Sequence, residues 1–187
     1  MTLASSRAVA LPALRSRALA ALAGALAVAL AAQAAVPLPG TLVPLSLAPL
    51  AVVLVGGLLG ARVGAAALVT YLAMGAVGLP VFAPVGLPGV ARLFGPTGGY
   101  LLAYPVAAAL AGFVTARGTS WPRALLGPAV GIATIHAGGV AQLLVLTGSA
   151  SLAVAMGTLP FVAGDLLKVG VAALVLRRFA GSSRALR

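Results

Sequence analysis

The chain contains one acidic residue, Asp165, and one lysine, Lys168. They stand three positions apart within an apolar run, Pro160-Phe161-Val162-Ala163-Gly164-Asp165-Leu166-Leu167-Lys168. Three helical steps of about 100° leave the two side chains about 60° apart, on one face of a helix. A charge near the centre of a bilayer costs about 2.5–3.5 kcal/mol even on lenient insertion scales, and ionisable residues in such runs face the bundle interior and mark functional sites. Two readings stay open. Either the pair only neutralises itself, with desolvation offsetting much of its attraction, or a small molecule satisfies the lone pairs and N–H groups left over. A second concentration of chemistry lies in Phe94-Gly95-Pro96-Thr97-Gly98-Gly99-Tyr100, just after Arg92. Gly95, Gly98 and Gly99 permit close backbone approach to a ligand, and the helix that follows points its positive end there. Ordinary turn chemistry accounts for the same pattern.

The remaining polar residues narrow the chemistry. His136 is the one histidine and the cysteine count is zero. Thiolate zinc sites, disulfides and thiol nucleophiles are therefore excluded, and a lone histidine builds no metal centre, so no metal is expected. A serine–histidine enzyme is disfavoured, because Ser46 and Ser151 lack a nucleophile-elbow context and no acid remains to orient His136. His136 reads as a packed or pocket-lining residue; Tyr71 and Tyr104 are either interfacial belt aromatics, the simpler reading, or walls of a pocket. There is no phosphate-binding Gly-Lys-Ser/Thr loop. One carboxylate is too few for ion-coupled pumping, so uphill movement of a solute would need an energy-supplying partner.

The elements that position these residues are membrane helices. Of 187 residues, 62% are hydrophobic and 7% charged, with a mean hydropathy of +1.19. No compact domain of this size hides that much apolar surface from water, so it faces lipid. The net charge of +11 does not indicate nucleic acid, because the bases punctuate apolar runs instead of forming a stripe among aromatics. Runs of about 20 apolar residues predict an all-α, polytopic bundle of six transmembrane helices over about 18–36, 42–60, 63–82, 99–116, 124–147 and 158–176, a single integral-membrane domain spanning 1–187. The runs do not alternate, which argues against a β-barrel. Pro44, Pro49, Pro105 and Pro128 fall inside spans and predict kinks or broken backbone. The first span, preceded by Arg7, Arg15 and Arg17, also has the look of a cleavable signal, but its apolar stretch is longer than the usual signal core of about 7–15 residues.

Basic residues set the orientation. With both termini inside, Arg7, Arg15, Arg17, Arg62, Arg117, Arg123, Arg177, Arg178, Arg184 and Arg187 are cytoplasmic, Lys168 is within the sixth span, and Arg92 alone is outside. Arg92 is thus either an accidental solvated residue or a clamp for an anionic ligand group. At 1.5 Å per residue from position 158, Asp165 lies about 10 Å and Lys168 about 15 Å below the outer face.

Three motifs in register carry a resemblance: Tyr71-Leu72-Ala73-Met74-Gly75-Ala76-Val77-Gly78-Leu79-Pro80-Val81-Phe82, Gly95-Pro96-Thr97-Gly98-Gly99-Tyr100, and Pro160-Phe161 with Gly164-Asp165-Leu166-Leu167-Lys168. Over about residues 33–178 the chain resembles the BioY family, the biotin-binding S components of energy-coupling factor transporters. It departs at Val43-Pro44-Leu45-Ser46-Leu47-Ala48, where Ala48 replaces a glutamine usual in the family. The resemblance implies a non-enzymatic binding subunit in a bacterial inner membrane, with six helices and a vitamin site near the outer face. Loops between the first two helices and between the third and fourth would close that site. It also implies biotin held by Asp165 and Lys168 and by the Gly95, Thr97, Gly98, Gly99 and Tyr100 motif, with no cofactor. The partners it implies are a transmembrane T component and a pair of ATPases. Small residues on the first helix would face the T component, and Ala21, Ala25 and Ala29 supply that spacing. Biotin suits the local chemistry: its ureido N–H groups match Asp165, and its carbonyl or carboxylate matches Lys168 or Arg92. Another vitamin, or an intramembrane enzyme, are the competing readings.

Overall fold

The computed structural model describes residues 3–118 and 120–179, with side chains from Leu14 onward. Arg184, Arg187 and the side chain of Arg7, counted above among the inner bases, lie outside the described residues. Eight α-helices are present among them: α1 (Leu3–Gln33), α2 (Ala48–Leu59), α3 (Ala61–Ala76), α4 (Ala91–Phe94), α5 (Gly98–Ala116), α6 (Trp121–Thr147), α7 (Ala150–Gly157) and α8 (Val162–Arg178). A small antiparallel hairpin, β1 (Ala35–Val36) and β2 (Leu45–Ser46), joins α1 to α2, with Ala35 opposite Ser46 and Val36 opposite Leu45. A 3₁₀ turn, Leu159–Phe161, joins α7 to α8.

Four helical stretches are long and apolar enough to cross a membrane: Leu14–Gln33, α5, α6 and the run Ala150–Arg178. The other two expected spans are shorter than the sequence pattern suggests. Spans expected over 42–60 and 63–82 are helices of 12 and 16 residues, about 18 and 24 Å long against a hydrocarbon core of about 30 Å. Turn chemistry is the reason. Pro49 starts α2 in its first turn, and the residues before it are committed to the hairpin. Gly60, at φ +84°, closes α2 against α3, while Gly78, at φ +97°, turns the chain away after α3. Hydropathy does not register these breaks, because the loops are as apolar as the helices. Irregular backbone at this depth is tolerated where it is buried in protein or lines a cavity, and both loops line one. Pro105 and Pro128 are carried inside α5 and α6.

α5 is the hub, packed on α2, α3 and α6, with α1 against α3 and α8 against α6 and α2. Small residues set the spacing. A Cβ on Gly99 would overlap the Gly138 carbonyl of α6, and one on Gly56 would overlap the Ala108 carbonyl of α5. Ala21, Ala25 and Ala29 belong to the same packing. They are 8%, 0% and 8% exposed and join the core with Val28 and Leu68. The expectation that they form an outward partner surface is therefore corrected: in so alanine-rich a helix several small-residue registers coexist, and this one faces the chain's own bundle. The exposed register of α1 carries Leu22, Leu26 and Leu30.

At the end of the bundle with the chain's basic residues, Arg177 lies over the Trp121 ring at 3.9 Å and Arg123 donates to the Arg117 carbonyl. The arginines thus cluster at one end, opposite Arg92, as orientation by charge requires.

Gly99→Ala is expected to cost about 1–3 kcal/mol by overpacking and lower the thermal midpoint by several degrees. Gly170→Ala, whose new Cβ meets nothing within 4 Å, is expected to be neutral or slightly stabilising, since alanine is the better helix former. Thermal unfolding of the detergent-purified variants checks both.

Candidate ligand-binding site

Pro160 interrupts the run from α7 to α8, and the interruption builds the polar end of the site. In a continuous helix the Gly157 carbonyl would accept from the Phe161 N–H. Here Phe161 bonds instead to Thr158 at 3.0 Å. The freed Gly157 carbonyl accepts from the Tyr100 hydroxyl at 2.7 Å and from His136 Nδ1 at 3.0 Å. Because α8 restarts at Val162, Asp165 falls in its first turn, where the positive helix end favours a carboxylate.

Both Asp165 oxygens are engaged. Lys168 Nζ donates to Oδ1 at 2.9 Å, and His136 Nε2 lies 2.6 Å from Oδ2. A carbonyl only accepts, so His136 Nδ1 donates toward Gly157, while Nε2 faces the carboxylate. Asp165 and Lys168 are 8% and 7% exposed. They lie on one helix face, as their spacing requires.

The cavity beside this cluster is lined on its apolar side by Tyr71, Phe82, Tyr104, Ile132, Ile135 and Phe161. Tyr71 and Tyr104 stack at 6.2 Å, and Phe82 meets the Tyr71 ring edge-on at 5.4 Å. Gly75 makes room for the Phe82 ring, which a Cβ there would overlap. The belt reading of Tyr71 and Tyr104 is thus corrected: both are buried in the bundle as cavity walls. Among the described residues, neither hydroxyl has a hydrogen-bond partner, so both are available to a polar ligand atom.

Of the other residues singled out from sequence, Arg92, Thr97 and Tyr100 line the cavity. Gly95, Gly98 and Gly99 do not. Gly98 and Gly99 are small so that α5 can pack against Leu93 and α6, and the Gly95 carbonyl accepts from Gln142 at 2.7 Å. Arg92 is 6% exposed. Its guanidinium donates to the carbonyls of Ala83 at 2.6 Å, Leu87 at 2.8 Å, and Val85. Burial lowers its pKa from the ordinary value, and the Tyr71 phenol opposes that shift. Arg92 is therefore a strut for the loop 77–90 and at the same time a cavity wall.

Two glutamines complete the bracing. Gln33 on α1 donates to the carbonyls of Val81 and Phe82 at 3.4 and 3.3 Å, and Gln142 on α6 donates to Leu93 at 3.0 Å. Across the cavity, Thr41 of the hairpin loop donates to the Met156 carbonyl at 2.7 Å. The loop carbonyls that regular structure leaves unpaired are thus satisfied by side chains from three helices.

His136 is the residue whose role sequence reasoning missed. The expectation that no acid remained to orient it is overturned by its contact with Asp165. Both ring nitrogens are occupied, so neither is left to take a proton from Ser46, which also borders the cavity. Among the described residues no group of three or more metal-ligating side chains occurs.

The fold and the site define a membrane-embedded binding protein. A solved chain described as the S-component for biotin from an ECF-type ABC transporter has the same fold, with a TM-score of 0.76, 23% identity, and coverage of 96% of this chain and 94% of that one. Identity at that level speaks to the fold alone. The sequence model of the BioY family matches residues 4–185. The biotin transporter BioY of Rhodobacter capsulatus is 36% identical over 179 residues, covering 89% of this chain and 93% of that protein. The biotin transporter BioY of Thermotoga maritima is 38% identical over 136 residues, covering 73% and 80%. The chain belongs to the BioY family.

Arg92→Lys keeps the charge but loses the planar fork that reaches three carbonyls. It is expected to raise amide hydrogen exchange in residues 83–89 at least tenfold and leave 166–176 unchanged. Uniform exchange across both segments would show that Arg92 does not brace the loop.

Proposed function

We propose that this chain is the substrate-binding membrane subunit for biotin uptake. It captures biotin from the outer face of a bacterial inner membrane and delivers it inward with a T component and ATPases, both termini being cytoplasmic. The names of its relatives support the ligand, and their description as transporters speaks against an enzyme. The observation that carries the reading is the Asp165 cluster: a carboxylate, an ammonium and an imidazole held together in an apolar bundle beside a cavity.

A carboxylate offers about four lone-pair positions. Lys168 and His136 take one each, which leaves two for the paired N–H groups of a ureido ring. The Lys168 ammonium retains donors for the ureido oxygen. The stacked tyrosines, Phe82 and Phe161 cover an apolar bicyclic ring as pocket walls do, and Thr97, Tyr71 and Tyr104 supply hydroxyls along the way. Arg92 has two N–H groups beyond those spent on the loop, enough for one oxygen of the valerate carboxylate. Gly95, Gly98 and Gly99 shape the entrance by fixing where α5 begins.

Biotin titration of the detergent-purified protein tests this. Asp165→Asn and Lys168→Ala are each expected to lose about 2–5 kcal/mol of binding, as when one partner of a buried charged pair is truncated. Unchanged affinity in both variants would remove α8 from the site. Displacement of labelled biotin by thiamine or riboflavin at comparable concentration would instead favour a different vitamin.

A further inference from the structure

A second recess lies at the opposite end of the bundle, between the lower half of α1 and the corner that joins α2 to α3. Its volume is about 450 Å3. Apolar residues, among them Ala18, Ala21, Val63 and Ala66, make up most of its lining, and Arg17 and Arg62 are the charged residues that line it. Arg17 lies at the start of the apolar stretch Leu14–Gln33, which sets the recess at the level of lipid headgroups.

Among the described residues the two arginines have no counter-ion. The chain has a single acidic residue, and both its oxygens are held by Lys168 and His136. Three other arginines at this end are engaged within the chain: Arg117 lies over Phe113 at 4.2 Å, Arg177 over Trp121, and Arg123 donates to a backbone carbonyl; Arg15 and Arg178 stand outside the recess. Among the described residues, Arg17 and Arg62 have no hydrogen bond, ion pair or ring contact. Two guanidinium groups in an otherwise apolar recess match a phosphodiester carrying an acyl chain, because guanidinium pairs with phosphate through paired N–H donors. Basic recesses between membrane helices on the cytoplasmic side bind anionic headgroups by the same physics.

We infer that the Arg17–Arg62 recess is a binding site for an anionic glycerophospholipid, its phosphate on the two arginines and an acyl chain along Ala18 and Ala66. A zwitterionic lipid is disfavoured, because its ammonium group would be brought toward the same positive charges.

Native mass spectrometry of the detergent-purified chain tests the inference with dioctanoyl phosphatidylglycerol, dioctanoyl phosphatidylcholine and inorganic phosphate as probes. Wild type is expected to retain phosphatidylglycerol at least tenfold more tightly than phosphatidylcholine. The double variant Arg17→Gln/Arg62→Gln is expected to lose that preference, and Ala66→Leu to weaken retention by filling the recess with both arginines present. Arg178→Gln, at the same end but outside the recess, is expected to behave as wild type, and biotin titration reports whether each variant is folded. Equal loss in Arg178→Gln would mean that net charge alone attracts the lipid, and would overturn the proposal. Equal retention of inorganic phosphate would assign the recess to a free anion. Absence of any lipid adduct would leave it to a protein partner. Either result contradicts the lipid site.

Discussion

The structure depends on keeping one carboxylate ionised or hydrogen-bonded inside an apolar helical bundle. An isolated charge in a medium of low dielectric is unaffordable, and Asp165 is stable in the bundle because an ammonium and an imidazole reach its two oxygens. Every element near it is arranged around that need. α6 brings His136, the broken junction between α7 and α8 orients it through the Gly157 carbonyl, and Tyr100 on α5 shares that carbonyl. Replacing the cluster with leucines would satisfy the fold at less cost. Its persistence beside a cavity is intelligible if a polar solute completes it.

The second constraint is the shortness of α2 and α3. Two helices that fall short of the bilayer leave room for irregular backbone at membrane depth, and that backbone becomes the cover of the cavity. Its polar groups would be prohibitively exposed to lipid without partners. Gln33, Arg92 and Gln142 supply them from α1, α4 and α6, so the cover is tied to the frame at several points. A wall held by a few side-chain hydrogen bonds rearranges more readily than a helix, which suits a site that has to admit and release a solute.

Much of this was legible in the residues. Continuous apolar runs and the placement of arginines pointed to a helical membrane bundle with its basic residues gathered at one end, and four of the six expected spans are long and apolar enough to cross a membrane. The span expected at 99–116 differs from α5 by one residue, because glycines and an arginine bracket it. Asp165 and Lys168 were legible because charge in an apolar run has few innocent explanations. What stayed hidden depends on which helices meet. The pairing of His136 with Asp165 joins positions 29 residues apart. The inward face of α1 could not be chosen among equivalent alanine registers. The glycines near Gly98 and Gly99 read equally as ligand cradle or helix contact, and only the proximity of Gly138 decides for contact.

The most direct measurement is an experimental density map of the protein with biotin bound. The account predicts the ureido nitrogens at about 2.7–3.2 Å from the Asp165 oxygens, with the bicyclic ring against Tyr71 and Tyr104. A map showing biotin elsewhere, with Asp165 still bonded only to Lys168 and His136, would contradict it.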